Sequence, residues 1–266
     1  MLDCDAIIFD LEDAVAAEAK GSARVQVAET LASSDYGYRE LVVRVNGLDT
    51  PWGEEDVKMA AQLPVQAVLF PKVESADQAA AIQAAVDSAG GSRLPLWVMI
   101  ETPRGILDVR AVVDASRRIE CLVMGTSDLV KELRATHIPS RSNLAYALQH
   151  SVLAARAAEV DVLDGVHLDF RNPDSFREAC EQGRAMGFDG KTLIHPTQVE
   201  IANEVFGYSE ADVADARSVL SAWESAKAAG KGVAEVDGRL IENLHAAEAE
   251  RVIAFADALS ARARET

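Results

Sequence analysis

The stretch AIIFDLED, residues 6–13, joins an apolar run directly to a group of acidic side chains. Residues 6–9 have the length and composition of a buried strand. Asp10, Glu12 and Asp13 follow at once, so three carboxylates fall within four residues. Like charges this close cost least free energy where a cation lies nearby. The stretch therefore predicts a buried strand, and it raises the question of whether a cation lies at the carboxyl end of that strand.

Apolar runs of similar length recur along the chain and alternate with segments of helical periodicity. The predicted strands are residues 6–9, 41–45, 67–70, 96–100, 121–124, 165–168 and 191–194. Two helical stripes between them are Ala79, Ile82 and Val86, and Ile106, Val109 and Val113. Apolar strands separated by helices favour an α/β fold with a parallel sheet covered on both faces. Seven strands suit an open doubly wound sheet, whereas a closed (β/α) barrel requires eight.

Polar residues follow the carboxyl end of every predicted strand. In chain order they are Asp10, Glu12 and Asp13; Arg44 and Asn46; Lys72; Glu101; Gly125, Thr126, Ser127 and Asp128; Asp169; and His195. A barrel gathers such residues at one mouth, whereas an open sheet concentrates them at one switch point. The sequence has no GxGxxG or Walker pattern to support a nucleotide-binding fold. The distribution therefore favours the barrel.

The pattern changes after residue 207, so we divide the chain into a barrel (1–207) and a C-terminal helical extension and lid (208–266). A long helix is predicted from Ser209, a plausible N-cap. Glycine-rich sequence at Gly230 and Gly232 follows, then the segment VDGRLIENLH and a final helix. This tail contains no further strand–helix unit, so it is interpreted as an appendage to the barrel.

Composition excludes several classes of protein. The formal net charge of −17 argues against nonspecific binding to nucleic acid or to an anionic membrane. The three cysteines, Cys4, Cys121 and Cys180, are widely spaced and form no zinc motif, which favours a reducing compartment. No signal peptide or membrane span is evident, so the expected location is the cytoplasm.

Glu101 and Asp128 follow consecutive predicted strands and together suit a hard cation such as Mg²⁺. Surface charge or a salt bridge is the alternative for this pair. Arg44 has the planar fork that holds a carboxylate through two hydrogen bonds, or it forms a structural ion pair with the acids of residues 10–13. Lys72 suggests a Schiff base, although nothing near it in sequence indicates desolvation.

Two histidines are weaker candidates. His195, in the segment IHP, is either a ligand contact or a packing residue at a strand end. His167 falls within a predicted strand and is interpreted as structural.

Seven segments resemble, in order and spacing, the citrate lyase β-subunit-like CoA ester lyases of the HpcH/HpaI aldolase superfamily. They are DAIIFDLEDAV, VVRVNG, LFPKVES, MIETPRGI, VMGTSDL, DGVHLDF and GFDGKTLIHPTQVEIAN. The resemblance covers almost the whole chain and is greatest for the malyl-CoA and β-methylmalyl-CoA branch. It implies a (β/α)8 TIM barrel with a C-terminal lid and a site that depends on Mg²⁺, with Mn²⁺ as a substitute.

The resemblance also implies roles for individual residues. Glu101 and Asp128 would bind the metal, and Arg44 would contact the carboxylate or carbonyl of the substrate. Gly125, Thr126 and Ser127 would line the substrate site. Five further residues would surround the metal and Arg44: Asp10, Glu12, Asp13, Lys72 and His195. The crowded acids of residues 10–13 would then face a cation and an arginine.

The chain departs from the family pattern in two places. Family members usually begin with one more strand, which helps to bind CoA, so we expect the first strand of the ring to be missing from this chain. The lyases also carry a catalytic aspartate in the pattern DGKMID, where this chain has DGRLIEN with Glu242. Sequences with ENLH at this point resemble malyl-CoA thioesterases.

The primary expectation is a reversible lyase that cleaves a malyl-CoA-like thioester into a 2-oxo acid and an acyl-CoA, with Glu242 as acid or base. Hydrolysis of the thioester at the same site is the alternative, and a catalytically inactive barrel is a third. CoA would enter as part of the substrate. The resemblance further implies a homotrimer or homohexamer in which Glu242 of the lid acts on the site of a neighbouring subunit. The alternative is a tail that packs on its own barrel and leaves Glu242 solvated.

Overall fold

The fold described here is that of a computed structural model covering residues 2–265. The chain forms two compact units, the first ending at Phe206 and the second beginning at Gly207.

The first unit is built on a curled parallel sheet whose seven strands follow one another in chain order. The strands are β1 (Ala6–Asp10), β2 (Glu40–Arg44), β3 (Ala67–Phe70), β4 (Leu96–Ile100), β5 (Ile119–Met124), β6 (Asp161–Asp164) and β7 (Gly190–Lys191). The predicted α/β class is confirmed, and the sheet forms a half-barrel. No eighth strand joins this sheet within residues 2–265.

Both faces of the sheet are buried. On the outer face, Val43, Val68 and Val98 pack with the helices in the larger apolar cluster. On the inner face, Leu69, Trp97 and other side chains form a second cluster inside the curl. Successive residues of a strand point to opposite faces, so each apolar strand supplies both clusters.

Helices follow most strands of the first unit. They are α1 (Lys20–Ser33), α2 (Gly53–Ala60), α3 (Ala76–Ser88), α4 (Pro103–Asp114), α5 (Thr126–Glu132), α6 (Ala145–Ala158), α7 (Pro173–Met186) and α8 (Val199–Phe206). The predicted stripes on α3 and α4 are buried in the larger cluster. Within residues 2–265, no helix combines the length and apolar character that a membrane crossing requires.

The sixth strand was predicted at residues 165–168, which is wrong, because β6 occupies residues 161–164. This strand begins and ends with aspartate, so its composition hid it. Asp164 is fully buried, and its carboxylate accepts hydrogen bonds from Arg141 Nη1 at 2.7 and 2.8 Å and from Lys191 Nζ at 2.8 Å. These cations come from distant parts of the chain, and they allow a charged residue to end a buried strand.

The seventh strand was predicted at residues 191–194, but of these only Lys191 belongs to the ladder. Thr192 still donates its N–H to Asp164 O at 3.0 Å. The backbone N–H groups of Ile194 and His195 donate instead to Gln198 Oε1, at 3.0 and 3.2 Å. The buried side chain of Gln198 therefore accepts the backbone hydrogen bonds that a neighbouring strand would otherwise accept.

The second unit contains the two predicted helices and, between them, a hairpin that was not predicted. Helix α9 (Glu210–Ala228) begins after Ser209, whose Oγ accepts the N–H of Asp212 as predicted for an N-cap. Strands β8 (Ala234–Val236) and β9 (Arg239–Ile241) pair antiparallel, and α10 (Asn243–Glu265) follows. Asp237 and Gly238 both have positive φ, as a two-residue hairpin turn requires. Asp-Gly was therefore a signal available in the sequence.

We expect Glu40→Gln to raise the melting temperature at pH 7.5. Burial, together with the charges of Glu120 and Asp161, raises the pKa of Glu40 at the start of β2. A carboxyl group whose pKa is higher in the folded state destabilises that state when it ionises. The gain should therefore be present above the folded pKa and vanish below the ordinary glutamate pKa of about 4.3. Thermal melts at pH 7.5 and pH 4 measure it.

The matched control is Glu29→Gln, an exposed position on α1 that should leave the melting temperature unchanged. Equal melting temperatures for Glu40→Gln and the wild type at pH 7.5 would contradict the prediction.

Candidate active site

The carboxyl ends of β1 and β2 bring an acidic side chain and an arginine together. Asp10 and Arg44 are the last residues of these strands and are partners in the parallel register. Arg44 Nε donates to Asp10 Oδ1 at 2.7 Å, and Arg44 Nη2 donates to Asp10 Oδ2. Arg44 Nη1 also lies 3.0 Å from Glu12 Oε2, as an ion pair. The arginine therefore has the structural ion pairs that the sequence analysis held as an alternative.

The Asp10 carboxylate also organises the turn that follows it. Its oxygens accept the N–H of Glu12 at 2.8 Å and of Ala14 at 3.2 Å. Burial alone raises the pKa of Asp10, but the hydrogen bond and charge of Arg44, with these N–H groups, lower it below its usual value. Asp10 is therefore ionised at neutral pH and fixes the position of Glu12.

Glu101 is held at the end of β4 by the start of α4. Thr102 Oγ1 accepts the N–H of Gly105 at 3.1 Å as the N-cap, and Pro103 opens the helix. The Glu101 residue is only 1% exposed. Its Oε1 accepts the N–H of Lys72 at 2.9 Å. The segment ETPRG thus turns the chain sharply and leaves one carboxylate buried at the strand end.

Lys72 adopts a left-handed backbone conformation, with φ of 51°. Such a conformation in a non-glycine residue is uncommon and is found often at functional sites. Its Nζ donates to Glu12 Oε1 at 2.5 Å and lies 3.8 Å from Asp13 Oδ2 and 3.9 Å from Glu101 Oε1. The same residue therefore directs both its N–H and its ammonium group at Glu101.

The charge state of Lys72 disfavours the Schiff-base hypothesis. Burial alone lowers the pKa of the ammonium group, but Glu12, Glu101 and Asp128 more than reverse this and raise it. A lysine that forms a Schiff base needs a lowered pKa to supply the neutral amine. Lys72 is instead a permanent cation among carboxylates.

Gly125 makes room for Glu101. A Cβ atom at this position would lie 2.2 Å from Glu101 Oε2 and 2.3 Å from Glu101 Cβ. Glu101 Oε2 is buried and has no hydrogen-bond partner. Burial raises the pKa of Glu101 to about 7, with Lys72 opposing the shift and Asp128 and Glu12 adding to it. The carboxylate therefore keeps one oxygen available in a space that only glycine leaves open.

The first turn of α5 supplies the remaining predicted residues. Thr126 is buried, and Ser127 has a buried Oγ without a hydrogen-bond partner. Asp128, in the same turn, is close enough for its charge to raise the pKa of both Glu101 and Lys72. A second carboxylate therefore follows the end of β5, and its role beside Glu101 stays a prediction.

Two predicted residues have other contacts. His195 stacks on Phe170 with ring centroids 4.6 Å apart, and its Nδ1 lies 2.9 Å from Thr197 Oγ1. These contacts are those of a packing histidine, the alternative that the sequence left open. Glu242 lies in the second unit, between β9 and α10, and is exposed. Its carbonyl accepts the N–H of His245 at 3.0 Å, and its N–H donates to His245 Nδ1 at 3.0 Å.

The sequence analysis missed Lys20, whose buried ammonium group donates to the carbonyls of Leu11 and Glu12. It also missed the buried cluster of Asp164, Arg141 and Lys191. Neither has a local signature, because each cation finds its acceptor in another element.

The residues at the strand ends fit the divalent cation that the resemblance implies. Glu101 presents a buried oxygen without a partner, and Asp128 adds a second carboxylate. Mg²⁺ typically takes one or two protein carboxylates and completes its coordination with water and substrate. Among the described residues, no group of three or more His, Cys, Asp or Glu side chains is arranged to hold a metal ion. A cation held by these two carboxylates would keep coordination positions open for water and substrate.

Comparison with known proteins gives relatives along almost the whole chain. A (3S)-malyl-CoA thioesterase from Cereibacter sphaeroides (strain KD131 / KCTC 12085) is 47% identical over 260 residues, covering 98% of this chain and 89% of the relative. An L-malyl-CoA/beta-methylmalyl-CoA lyase from Cereibacter sphaeroides (strain ATCC 17025 / ATH 2.4.3) is 33% identical over 282 residues, covering 97% and 89%.

A solved structure has a similar fold. Protein CitE from Mycobacterium tuberculosis, in complex with magnesium, acetoacetate and coenzyme A, superposes with a TM-score of 0.77 at 27% identity. The match covers 96% of this chain and 90% of that chain. Residues 1–196 also match the sequence profile of a single family. The chain therefore belongs to the HpcH/HpaI aldolase/citrate lyase family.

Proposed function

We propose that this protein is a Mg²⁺-dependent enzyme that hydrolyses a malyl-CoA-like thioester, with Mn²⁺ able to replace Mg²⁺. The observation that carries the proposal is the strand-end cluster, in which Glu101 keeps a buried oxygen without a partner beside Asp128 and the cations Arg44 and Lys72. The thioesterase relative at 47% identity and the segment ENLH support hydrolysis over the cleavage that the sequence analysis placed first.

Glu101 and Asp128 would hold the cation, which supplies Lewis-acid stabilisation of the substrate's oxygens when bound. Arg44 would contact the carboxylate of the 2-hydroxy acid, while Asp10 and Glu12 fix the orientation of its guanidinium group. Nε and Nη2 already donate to Asp10, so this contact would use the guanidinium hydrogens that remain. The ammonium group of Lys72 donates to Glu12 and offsets part of the negative charge there. Thr126 and Ser127 would line the pocket with hydroxyl groups.

Glu242 would act as the general base in hydrolysis. It would remove a proton from a water molecule as the water oxygen bonds to the thioester carbon. The carbon–sulfur bond then breaks, and the thiol of CoA leaves with the proton. The products are malate and free CoA.

Cleavage between carbons is the second candidate, supported by the lyase relative at 33% identity. Here the 2-hydroxyl group gives its proton to solvent water, the bond between C2 and C3 breaks, and the electron pair remains on the acyl-CoA as an enolate. Glu242 would then protonate that carbon. The products would be glyoxylate and acetyl-CoA.

One assay tests these alternatives. The protein is incubated with malyl-CoA and Mg²⁺, and thiol, malate and glyoxylate are measured in the same samples. Thiol and malate in equal amounts support hydrolysis, whereas glyoxylate without free thiol supports cleavage. If neither set of products appears above the rate without enzyme, the chain is the inactive barrel that the sequence analysis kept as a third alternative.

We expect Arg44→Ala and Glu242→Ala, each inactive alone, to regain part of the activity when they are unfolded, mixed and refolded together. If the lid acts on a neighbouring subunit of a homotrimer or homohexamer, a mixed oligomer contains sites with Arg44 from one copy and Glu242 from the next. Two affinity tags purify the mixed oligomers, and malyl-CoA turnover measures recovery.

The matched control is each variant refolded with a tagged copy of itself, which should stay inactive. Tagged mixed oligomers that form and remain inactive would contradict the contribution of Glu242 in trans, while the assay of the wild type is unaffected by that outcome.

A further inference from the structure

Lys20, the first residue of α1, is a buried lysine outside the set of residues predicted for the site. It is 6% exposed, and its Nζ donates to Leu11 O at 2.8 Å and to Glu12 O at 2.7 Å. The same Nζ lies 5.4 Å from the centroid of the Trp52 ring, within the range of a cation–π interaction. The ammonium group thus joins the turn after β1 to the start of α2.

Burying the ammonium group of Lys20 costs free energy that no ion pair within residues 2–265 offsets. Within residues 2–265, no carboxylate lies within ion-pair distance of Lys20, and buried charges are normally paired. Both acceptors would stay satisfied without it. Leu11 O also accepts from Asn46 Nδ2 at 2.8 Å, and Glu12 O accepts the N–H of Val15 at 3.0 Å. Lys20 therefore does more than satisfy two carbonyl groups.

A second set of contacts also holds the turn. Asn46, which donates to Leu11 O, also donates to Asp56 Oδ2 at 2.6 Å. Arg24 Nε, one helical turn after Lys20, donates to Asp56 Oδ1 at 2.7 Å. Helix α1 thus holds the backbone of residues 11 and 12 through Lys20, and α2 holds Leu11 O indirectly, through Asp56 and Asn46. The side chain on that backbone is Glu12, whose two oxygens face Lys72 Nζ at 2.5 Å and Arg44 Nη1 at 3.0 Å.

We infer that Lys20 is a positioning residue, which holds the turn at residues 10–13 so that Glu12 spans Arg44 and Lys72. Small shifts of this backbone would rotate the Glu12 carboxylate and weaken its contacts with Arg44 and with Lys72, whose Nζ lies 3.9 Å from Glu101 Oε1. Lys20 touches neither substrate nor metal and acts only through Glu12. The inference rests on the proposed function for its catalytic consequence, while its structural part stands alone.

The first test is Lys20→Met, which keeps an unbranched side chain against Trp52 and removes the donors. We expect kcat for malyl-CoA to fall by about 10- to 100-fold, the range for partners that orient metal or substrate ligands, with little change in KM. Lys20→Arg should restore most of the loss. Lys58→Met, an exposed lysine on α2, is the matched control and should behave as the wild type.

A double-mutant cycle separates positioning from general destabilisation. If Lys20 acts through Glu12, the double variant Lys20→Met/Glu12→Gln should be no slower than Glu12→Gln alone. Rates that multiply as two independent losses would overturn the inference.

Hydrogen exchange of the peptide spanning residues 10–15 tests, without any activity measurement, whether Lys20 holds the turn at residues 10–13. We expect exchange to be at least tenfold faster in Lys20→Met than in the wild type and unchanged in Lys58→Met. If Lys20→Met does not fold, Trp52→Leu replaces it, with an intermediate acceleration expected. Unchanged exchange in a folded variant would overturn the inference that Lys20 holds this turn. That result is independent of the proposed function, because it does not require the wild type to be active on malyl-CoA.

Discussion

Replacing Asp128 by alanine is expected to lower turnover of malyl-CoA by about 10³-fold or more and to weaken Mg²⁺ binding to the same protein. Asp128 is one of two carboxylates that would hold the cation, and the other, Glu101, has a single oxygen without a partner. Losing the cation removes several kcal/mol of stabilisation from developing negative charge, and each 1.4 kcal/mol corresponds to a factor of about ten in rate. Steady-state assays and calorimetric titration with Mg²⁺ measure the two effects.

Asp77→Ala is the matched control for this variant. Asp77 lies in the first turn of α3, as Asp128 lies in the first turn of α5, so both lose a similar interaction with the helix dipole of about 0.3–1 kcal/mol. The control should keep full turnover. Full activity of Asp128→Ala in the presence of EDTA would show that the metal assignment is wrong.

Gly125→Ala is expected to have the second largest effect on turnover, although it adds only one methyl group. The new Cβ would lie 2.2 Å from Glu101 Oε2, so the carboxylate must move. Displacement of about 1 Å at a catalytic group can cost on the order of 10²-fold in rate. Overpacking should also lower the free energy of unfolding by about 1–3 kcal/mol. Mg²⁺ titration, turnover and chemical denaturation test the three consequences.

Gly21→Ala provides the comparison, because a Cβ at this exposed position in α1 would have no atom within 4 Å. Its activity should equal that of the wild type, and its stability should not fall. If Gly125→Ala also kept normal Mg²⁺ affinity and turnover, the close approach of residue 125 to Glu101 would have no functional role.

Several features of the site were predicted from the sequence because they depend on position along a strand. Asp10, Arg44 and Glu101 were predicted at strand ends, and the structure places each there. The carboxyl ends of parallel strands lie at one edge of a sheet. Residues that follow different strands can therefore be predicted to lie near one another before their contacts are known. The resemblance of seven segments to the family was likewise a property of the sequence and is confirmed by the family match.

The sequence did not reveal which charges pair, because the partners lie far apart in the chain. Asp164 could end a buried strand only because Arg141 and Lys191 reach it, and the strand was misplaced for that reason. The ion pairs of Arg44 with Asp10 and Glu12 also became evident only from the observed distances.

The sequence by itself thus determined the alternation of strands and helices, the polar residues at the strand ends and the family of the protein. The tertiary structure alone decided the limits of β6 and β7, the space that Gly125 leaves for Glu101, and the contact of Lys20 with the turn of residues 10–13. Periodicity records which faces of an element are buried, and that is a local property. The partner of a buried charge and the closest approach between backbones depend on how distant elements pack, which local pattern does not encode.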